Sequence, residues 1–205
     1  MHSSDVLRRN KVYAAEILPQ GRDSFIVDLP MFKASPISHT SLMLEELAPG
    51  SAGSTIEAAR DLLLDYGRFV QAQSGVASFC FGALEREAER LPESYWEQSG
   101  GAILARLAGL PAGFVAWRAV PGVASALELK RLWARPEARG SGLGRRLVEA
   151  VEERARAVGK SRLVLDTAPE AMAAAHRLYL NLGFQPCRPC NGLALEGIVY
   201  LGKQL

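Results

Sequence analysis

Residues Leu127–Val158 read LELKRLWARPEARGSGLGRRLVEAVEERARAV, and this segment carries three structural signals in succession. The apolar and alternating run up to Ala134 predicts a β-strand. Pro136 predicts a turn, and the residues that follow it have the spacing R-x-x-G-x-G. From Leu143 onward, apolar residues recur every three or four positions opposite a face of Arg and Glu. This pattern predicts an amphipathic helix, with Gly159 as its left-handed cap.

A strand, a glycine-rich turn and a helix in this order predict an anion-binding site. The first amides of a helix lack partners inside the helix, and the helix dipole places partial positive charge there. Glycines leave room for a phosphate to approach several N–H groups at once. The turn therefore predicts a ligand with a phosphate or pyrophosphate, held by Arg139, Gly140, Ser141, Gly142, Leu143, Gly144 and Arg145.

Two well-known phosphate-binding motifs do not match these letters. The dinucleotide fingerprint G-x-G-x-x-G requires a different spacing from the G-x-G-x-G found here. The triplet Gly159-Lys160-Ser161 resembles the end of a P-loop, but Arg154 occupies the position of its first glycine. The triplet also follows a helix, whereas a P-loop follows a strand.

The segment LKRLWARP followed by R-x-x-G-x-G resembles the acetyl-CoA signature of the GNAT superfamily of N-acetyltransferases. A second match lies downstream, where residues 175–184 (AHRLYLNLGF) are similar to the family's A-x-x-L-Y-x-x-x-G-F. The upstream segments Asp65-Tyr66 and Leu91-Pro92, followed by a hairpin, resemble the helical entry of GNATs that carry E-L-K-R on the central strand. The resemblance covers Ser54–Leu205, which predicts a GNAT acetyltransferase domain at 54–205.

The resemblance implies an α/β fold with a mixed, mostly antiparallel sheet. A V-shaped split separates two parallel central strands, and helices cover both faces. It also implies acetyl-CoA as co-substrate, with the loop amides on the pyrophosphate and the backbone near Leu132, Trp133 and Ala134 on the pantetheine arm and the thioester carbonyl. The implied activity is acetyl transfer to a primary amine of a small molecule, an amino acid or a peptide. A homodimer is common among similar proteins, and the sequence leaves the oligomeric state open.

Composition and charge argue against nucleic-acid-binding, membrane-spanning and secreted proteins. The chain has 205 residues and a net charge of +2, which is too small to favour nucleic-acid binding. Its apolar runs are too short for a membrane span and its start lacks the apolar core of a signal peptide, so a cytoplasmic protein is expected. The pair Cys187 and Cys190 forms a C-x-x-C in a loop with Pro189, and Cys80 stands apart. Two loop thiols are favoured there over a redox motif, and no metal site is predicted.

The remaining elements follow from local pattern. Residues 1–53 are treated as an extension of uncertain structure: a flexible arm, an added strand or a segment that packs on a partner subunit. Ser54 and Glu57 have capping-box spacing at the start of a helix, and Thr167 and Glu170 are expected to cap a later one. Further predicted elements are a helix at 84–90, a loop holding Tyr95 and Trp96, and strands at 101–107, 114–120, 162–166 and 198–201. The helix between the strands at 127–134 and 162–166 implies that these two are parallel.

Tyr179 and Glu128 are the catalytic candidates. Tyr179 matches the family tyrosine that points toward the coenzyme sulfur, and a phenol suits protonation of a thiolate. Position alone would make it a core tyrosine. Glu128 is a candidate base beside the thioester, or else a strand residue paired with Lys130. Asn181 either caps its helix or contacts the coenzyme. The rival functions are a non-catalytic coenzyme A sensor and a binder of nucleotides or sugar phosphates.

Overall fold

The computed structural model describes residues 41–73, 77–189 and 194–205, all of which belong to the compact unit His39–Leu205. Within these ranges the helices are α1 (Gly53–Gln71), α2 (Ala77–Glu89), α3 (Glu93–Trp96), α4 (Leu143–Ala157) and α5 (Ala173–Asn181). The strands are β1 (Leu42–Leu47), β2 (Gly101–Leu107), β3 (Leu110–Val120), β4 (Val123–Ala134), β5 (Arg162–Thr167), β6 (Gln185–Pro186) and β7 (Val199–Gln204). Among the described residues, no helix combines the length and the apolar character that crossing a membrane requires.

The described strands form one sheet in the order β1-β2-β3-β4-β5-β7-β6. Only the β4–β5 pair is parallel among them, because α4 carries the chain back across the sheet between these two strands. The other neighbours run antiparallel. The predicted fold class and the predicted parallel pair are both confirmed.

Helices cover both faces of the sheet because successive strand residues point to opposite sides. In β2, Ala102 and Leu104 pack with the cluster of α1, α2 and α3, whereas Ile103 and Ala105 pack with the cluster of α4. Both clusters are rich in leucines with no exposed surface, such as Leu62 on the first side. Burial of each such side chain contributes about 1.5–3 kcal/mol to folding.

A β-bulge at Arg131 reverses this alternation within β4. Leu127 and Leu129 belong to the α4 cluster, and so does Leu132, which an unbroken strand would turn to the other face. Arg131 has a left-handed backbone with φ 57°, and the pairing with β3 is irregular at this point. The extra residue sends Trp133 to the α1 side of the sheet.

The strands β4 and β5 pair only over a short distance. Their register runs from Ala126 opposite Arg162 to Glu128 opposite Val164. Beyond Glu128, β4 continues to Ala134 while its backbone pairing with β5 has ended, which leaves the V-shaped opening that the resemblance implied.

Two predicted helix caps are wrong. Helix α1 begins at Gly53 with Ala52 as its N-cap, so Ser54 already lies inside the first turn, where it cannot cap. Helix α5 begins at Ala173 with Met172 as its N-cap, because the chain first forms a turn in which the Met172 N–H donates to the Ala168 carbonyl at 2.8 Å. Thr167 is instead the last residue of β5.

Strand β1 lies within residues 1–53 and pairs antiparallel with β2 along its whole length, which agrees with the added-strand alternative, so the sheet begins before Ser54. Two further elements were not predicted. The predicted loop at Tyr95 and Trp96 is instead helix α3. The hydroxyl of the buried Tyr95 donates a hydrogen bond to the Glu87 carboxylate. The short strand β6 pairs with β7. Residues 1–40 and Cys190 lie outside the described ranges, and Cys187 is a free thiol among the described residues.

Candidate acyl-carrier and acceptor site

The predicted glycine turn joins β4 to α4 in a conformation that requires glycine. Gly140 and Gly142 have φ of +79° and +83°, a region that residues with a Cβ rarely adopt. Gly142 is the N-cap of α4 and contributes no side-chain cap. The first helical bond is donated by the Arg146 N–H to the Gly142 carbonyl at 3.1 Å, so the three preceding amides are available to a ligand. Apart from the glycine itself and its chain neighbours, no described atom lies within 4 Å of where a Cβ would stand on either glycine, which leaves room for an anion.

A cavity of about 680 Å³ opens beside this turn. It extends from the turn along β4 on one side and along α5 on the other. The predicted coenzyme-binding residues line this cavity, with two exceptions among the described residues, Ser141 and Asn181. The Ser141 hydroxyl instead donates to the Ala138 carbonyl at 2.6 Å, and Asn181 is the last residue of α5. Lining residues that the sequence analysis missed are Phe69, Ala138, Ala171, Met172, Ala173, Ala174, Ala175, Arg177 and Leu178. The sequence signal for these lining residues was the run of alanines at the start of α5, because small side chains leave space beside a helix.

The arginines of the turn are already engaged with protein groups. The Arg139 guanidinium lies over the rings of Trp133 and Phe69, at 5.0 and 5.4 Å from their centroids. Arg145 lies 3.8 Å from the Glu149 carboxylate, at half exposure. Exposed pairs of this kind are weak, so Arg145 can turn toward a phosphate at little cost.

Burial leaves the Trp133 Nε1 without a hydrogen-bond partner among the described residues.

Tyr179 lies on a second, smaller cavity of about 80 Å³, which shares Leu132, Met172 and Ala175 with the first. The Tyr179 side chain is almost fully buried, and its ring lies 5.7 Å from that of Phe184. Burial, with additional contributions from Tyr66 and Asp166, raises the pKa of the Tyr179 phenol well above its ordinary value. The phenol is therefore protonated throughout the neutral range, and it is a weaker acid than that of an ordinary tyrosine.

Glu128 is held by two cations. One carboxylate oxygen accepts a hydrogen bond from Arg118 Nε at 2.6 Å and the other from Lys130 Nζ at 3.2 Å. Its side chain is 16% exposed. Although it is among the described residues, Glu128 lines neither of these two cavities. The base role assigned to it stays a prediction, and its pairing with Lys130 is observed.

Arg131, at the bulge, forms a nearly buried ion pair with Glu87 of α2. The guanidinium donates two parallel hydrogen bonds to the carboxylate, each of 2.9 Å, and the Tyr95 hydroxyl donates a third at 2.7 Å. Burial alone would raise the pKa of Glu87, but the bonds and charge of Arg131 outweigh it and lower that pKa below its ordinary value. The same guanidinium lies 5.9 Å from the Tyr66 ring centroid and lines the smaller cavity. The group therefore ties α2 and α3 to the strand that borders both cavities.

Asp166 completes the smaller cavity and was not identified from the sequence. It lies on β5, where its Oδ1 accepts a hydrogen bond from Lys130 Nζ at 3.0 Å. Burial alone would raise the pKa of Asp166, but the charges of Lys130 and Arg131 and the Lys130 hydrogen bond lower it below its ordinary value. The signal for it was weak, because a single Asp near the end of a strand is common.

The protein combines a split α/β sheet with an open helix N-terminus and a long cleft beside it. These features are typical of a class of proteins that bind a phosphorylated ligand with an extended arm. The family model that matches residues 70–184, more than half of the chain, is that of the acetyltransferase (GNAT) family. The chain belongs to this family, and the predicted membership is confirmed.

Relatives and solved structures agree with this assignment. The chain is 36% identical over 78 residues to an uncharacterized N-acetyltransferase of Schizosaccharomyces pombe, a match that covers 38% of this chain and 47% of that protein. It is 46% identical over 57 residues to an IAA acetyltransferase of Azospirillum brasilense, covering 28% of this chain and 37% of that protein. The matches thus span less than half the length of these curated relatives. The PaiA N-acetyltransferase of Thermoplasma acidophilum, solved in complex with coenzyme A, has the same fold with a TM-score of 0.59. That likeness covers 80% of this chain and 99% of the other, at 18% identity.

Proposed function

We propose that this protein transfers an acetyl group from acetyl-CoA to a primary amine of a small molecule, an amino acid or a peptide. The observation that carries the proposal is the coincidence of the large cavity with the predicted coenzyme site around Gly140 and Gly142. Family membership supports the reaction class, and the neighbour solved with coenzyme A supports the co-substrate.

The residues present fit such a co-substrate. The free amides at positions 143–145 and the Arg145 side chain would bind the pyrophosphate, since a helix N-terminus attracts anions and the glycines leave the approach open. The apolar cleft between β4 and α5 would exclude water from the arm. The β4 backbone beyond Glu128 has separated from β5, so its amides on that side are candidates to donate to the thioester carbonyl.

Acetyl-CoA supplies the acetyl group as a thioester. During the transfer a C–N bond forms and a C–S bond breaks. Tyr179 would donate its phenolic proton to the departing sulfur and recover one from solvent. Its raised pKa keeps the phenol protonated before the transfer and makes the transfer itself less favourable than from an ordinary tyrosine. The amine must attack as the free base, because an ammonium has no lone pair. Glu128 is the proposed acceptor of the proton that the amine gives up, directly or through water.

Calorimetry with acetyl-CoA tests the first half of the proposal, and sub-millimolar binding is expected. A panel of primary amines, read out by release of free thiol, tests the second half. Binding without thiol release from any amine would favour the non-catalytic sensor. Tighter binding of ATP or NAD than of coenzyme A would favour the nucleotide binder.

The same proposal places the transferase domain at residues 54–205 together with strand β1, in a cytoplasmic protein. Gel filtration with light scattering distinguishes a monomer from the homodimer that is common among similar proteins.

A further inference from the structure

The smaller cavity lies where the acetyl group would meet its acceptor. It begins where β4 and β5 separate, shares part of its wall with the large cavity, and has Tyr179 on one side. Asp166 of β5 lies on the same wall. A carboxylate and a buried phenol thus border the space next to the proposed thioester position.

Asp166 ends a chain of ion pairs that runs across β4. Arg118 bonds Glu128 at 2.6 Å, Lys130 bonds Glu128 at 3.2 Å, and Lys130 bonds Asp166 at 3.0 Å. Lys130 shows that a primary ammonium can pair with Asp166, because the Lys130 Nζ already donates a hydrogen bond to Asp166 Oδ1. A second ammonium could bind the same carboxylate from the side of the cavity.

Among the described residues, three charged side chains line this cavity, the cations Lys130 and Arg131 and the anion Asp166. The Asp166 side chain is 36% exposed, compared with 16% for Lys130 and 9% for Arg131. Each cation is also paired with a carboxylate outside the cavity lining. Lys130 pairs with Glu128, and Arg131 pairs with Glu87. Of these three groups, Asp166 therefore has the largest accessible fraction of its side chain.

We propose that Asp166 binds the ammonium form of the acceptor, so that the acceptor is a cationic alkyl amine and neither an anionic nor an uncharged one. This inference deepens the proposed acetyl transfer and rests on it. The bound ammonium releases one proton to solvent, and the free amine attacks the thioester carbon. A second proton leaves the nitrogen as the C–N bond forms and passes to Glu128, directly or through water, and then to solvent. The sulfur receives its proton from Tyr179, which recovers one from solvent, so the charges balance.

The test compares acceptors that differ in charge. Asp166→Asn removes the charge and keeps the shape, and Asp61→Asn on the exposed face of α1 is the matched control. For an alkyl amine that is cationic at neutral pH, KM should rise about tenfold or more in Asp166→Asn, the effect of losing one charged hydrogen bond. For an arylamine, which is uncharged at that pH, KM should change less than about twofold, and Asp166→Glu should recover part of the loss for the alkyl amine.

Two outcomes would overturn the inference: an unchanged KM for the alkyl amine, or equal losses for both amines. Calorimetry with acetyl-CoA separates this failure from failure of the proposed function, because wild-type protein that does not bind the coenzyme refutes the function itself. If Asp166→Asn does not fold, inhibition of the wild type decides. An alkylguanidinium, which is cationic and has N–H donors, should compete with the amine, and either its failure to compete or equal competition by an alkyl carboxylate of the same length would refute the role of Asp166.

Discussion

The ion pair between Arg131 and Glu87 makes a sharp prediction about stability. Arg131→Met keeps the length of the side chain and removes its charge, which leaves the Glu87 carboxylate without a cation. Removal of one partner from a buried pair costs about 3–5 kcal/mol. The Glu87 side chain is 24% exposed and retains the Tyr95 hydrogen bond, so the lower end of this range applies. We expect the free energy of unfolding to fall by about 3 kcal/mol.

Removal of both charges should cost less than removal of one. In the double variant Arg131→Met with Glu87→Gln, no unpaired carboxylate is left, and the glutamine oxygen can still accept from Tyr95. We expect the double variant to recover about 1–2 kcal/mol relative to Arg131→Met alone, which is the usual penalty of a stranded buried polar group.

Urea unfolding followed by far-ultraviolet circular dichroism measures these differences, with equal slopes as the check on two-state behaviour. Arg68→Met is the matched control, because Arg68 pairs with Asp65 at 63% exposure and should change stability by less than about 0.5 kcal/mol. The reasoning fails if Arg131→Met costs under about 1 kcal/mol, or if the double variant is no more stable than the single one.

Three further predictions concern the proposed site. Tyr179→Phe should lower kcat by about 100-fold while the Kd for acetyl-CoA changes less than about twofold; a kcat near that of the wild type would remove the acid role. Gly142→Ala, at φ +83°, should lose about 1–2 kcal/mol of stability and also weaken acetyl-CoA binding by calorimetry, whereas Gly50→Ala, at φ +91°, should lose stability alone. Because the folded-state pKa of Glu87 lies below its ordinary 4.5, its ionised form stabilises the fold above that pH and this contribution is lost as the pH falls through the folded-state pKa. Urea unfolding at pH 7 and pH 3 should therefore show Glu87→Gln less stable than the wild type at pH 7, and a gap that does not narrow at pH 3 would contradict this.

Local patterns predicted the central part of this protein well. Helix α4 has its start at Leu143 as predicted and ends at Ala157, because its apolar residues recur with the helical period and glycines flank it. The parallel β4–β5 pair followed from the helix between them. These signals depend on residues close together in sequence, which a one-dimensional pattern records directly.

Other features were left open by the sequence or missed by it, because they depend on distant residues. Strand β1 is short and precedes a Pro-Gly linker, and its pairing with β2 joins residues about sixty positions apart. The bulge at Arg131 interrupts a pattern that reads as a regular strand. Neither hydrophobic period nor turn chemistry signals such events, since the stabilising partner lies in another element.

The sequence by itself determined the family and the glycine turn, and it predicts that a phosphate-bearing ligand binds at this turn. These depend on glycines at positive φ and on a helix start, both of which are properties of neighbouring residues. Tertiary structure decided how charge is arranged beyond the turn: Glu87 of α2 meets Arg131 of β4, and Asp166 of β5 meets Lys130. Charged side chains far apart in sequence come together only when strands and helices pack, and burial then sets their strength and their pKa values.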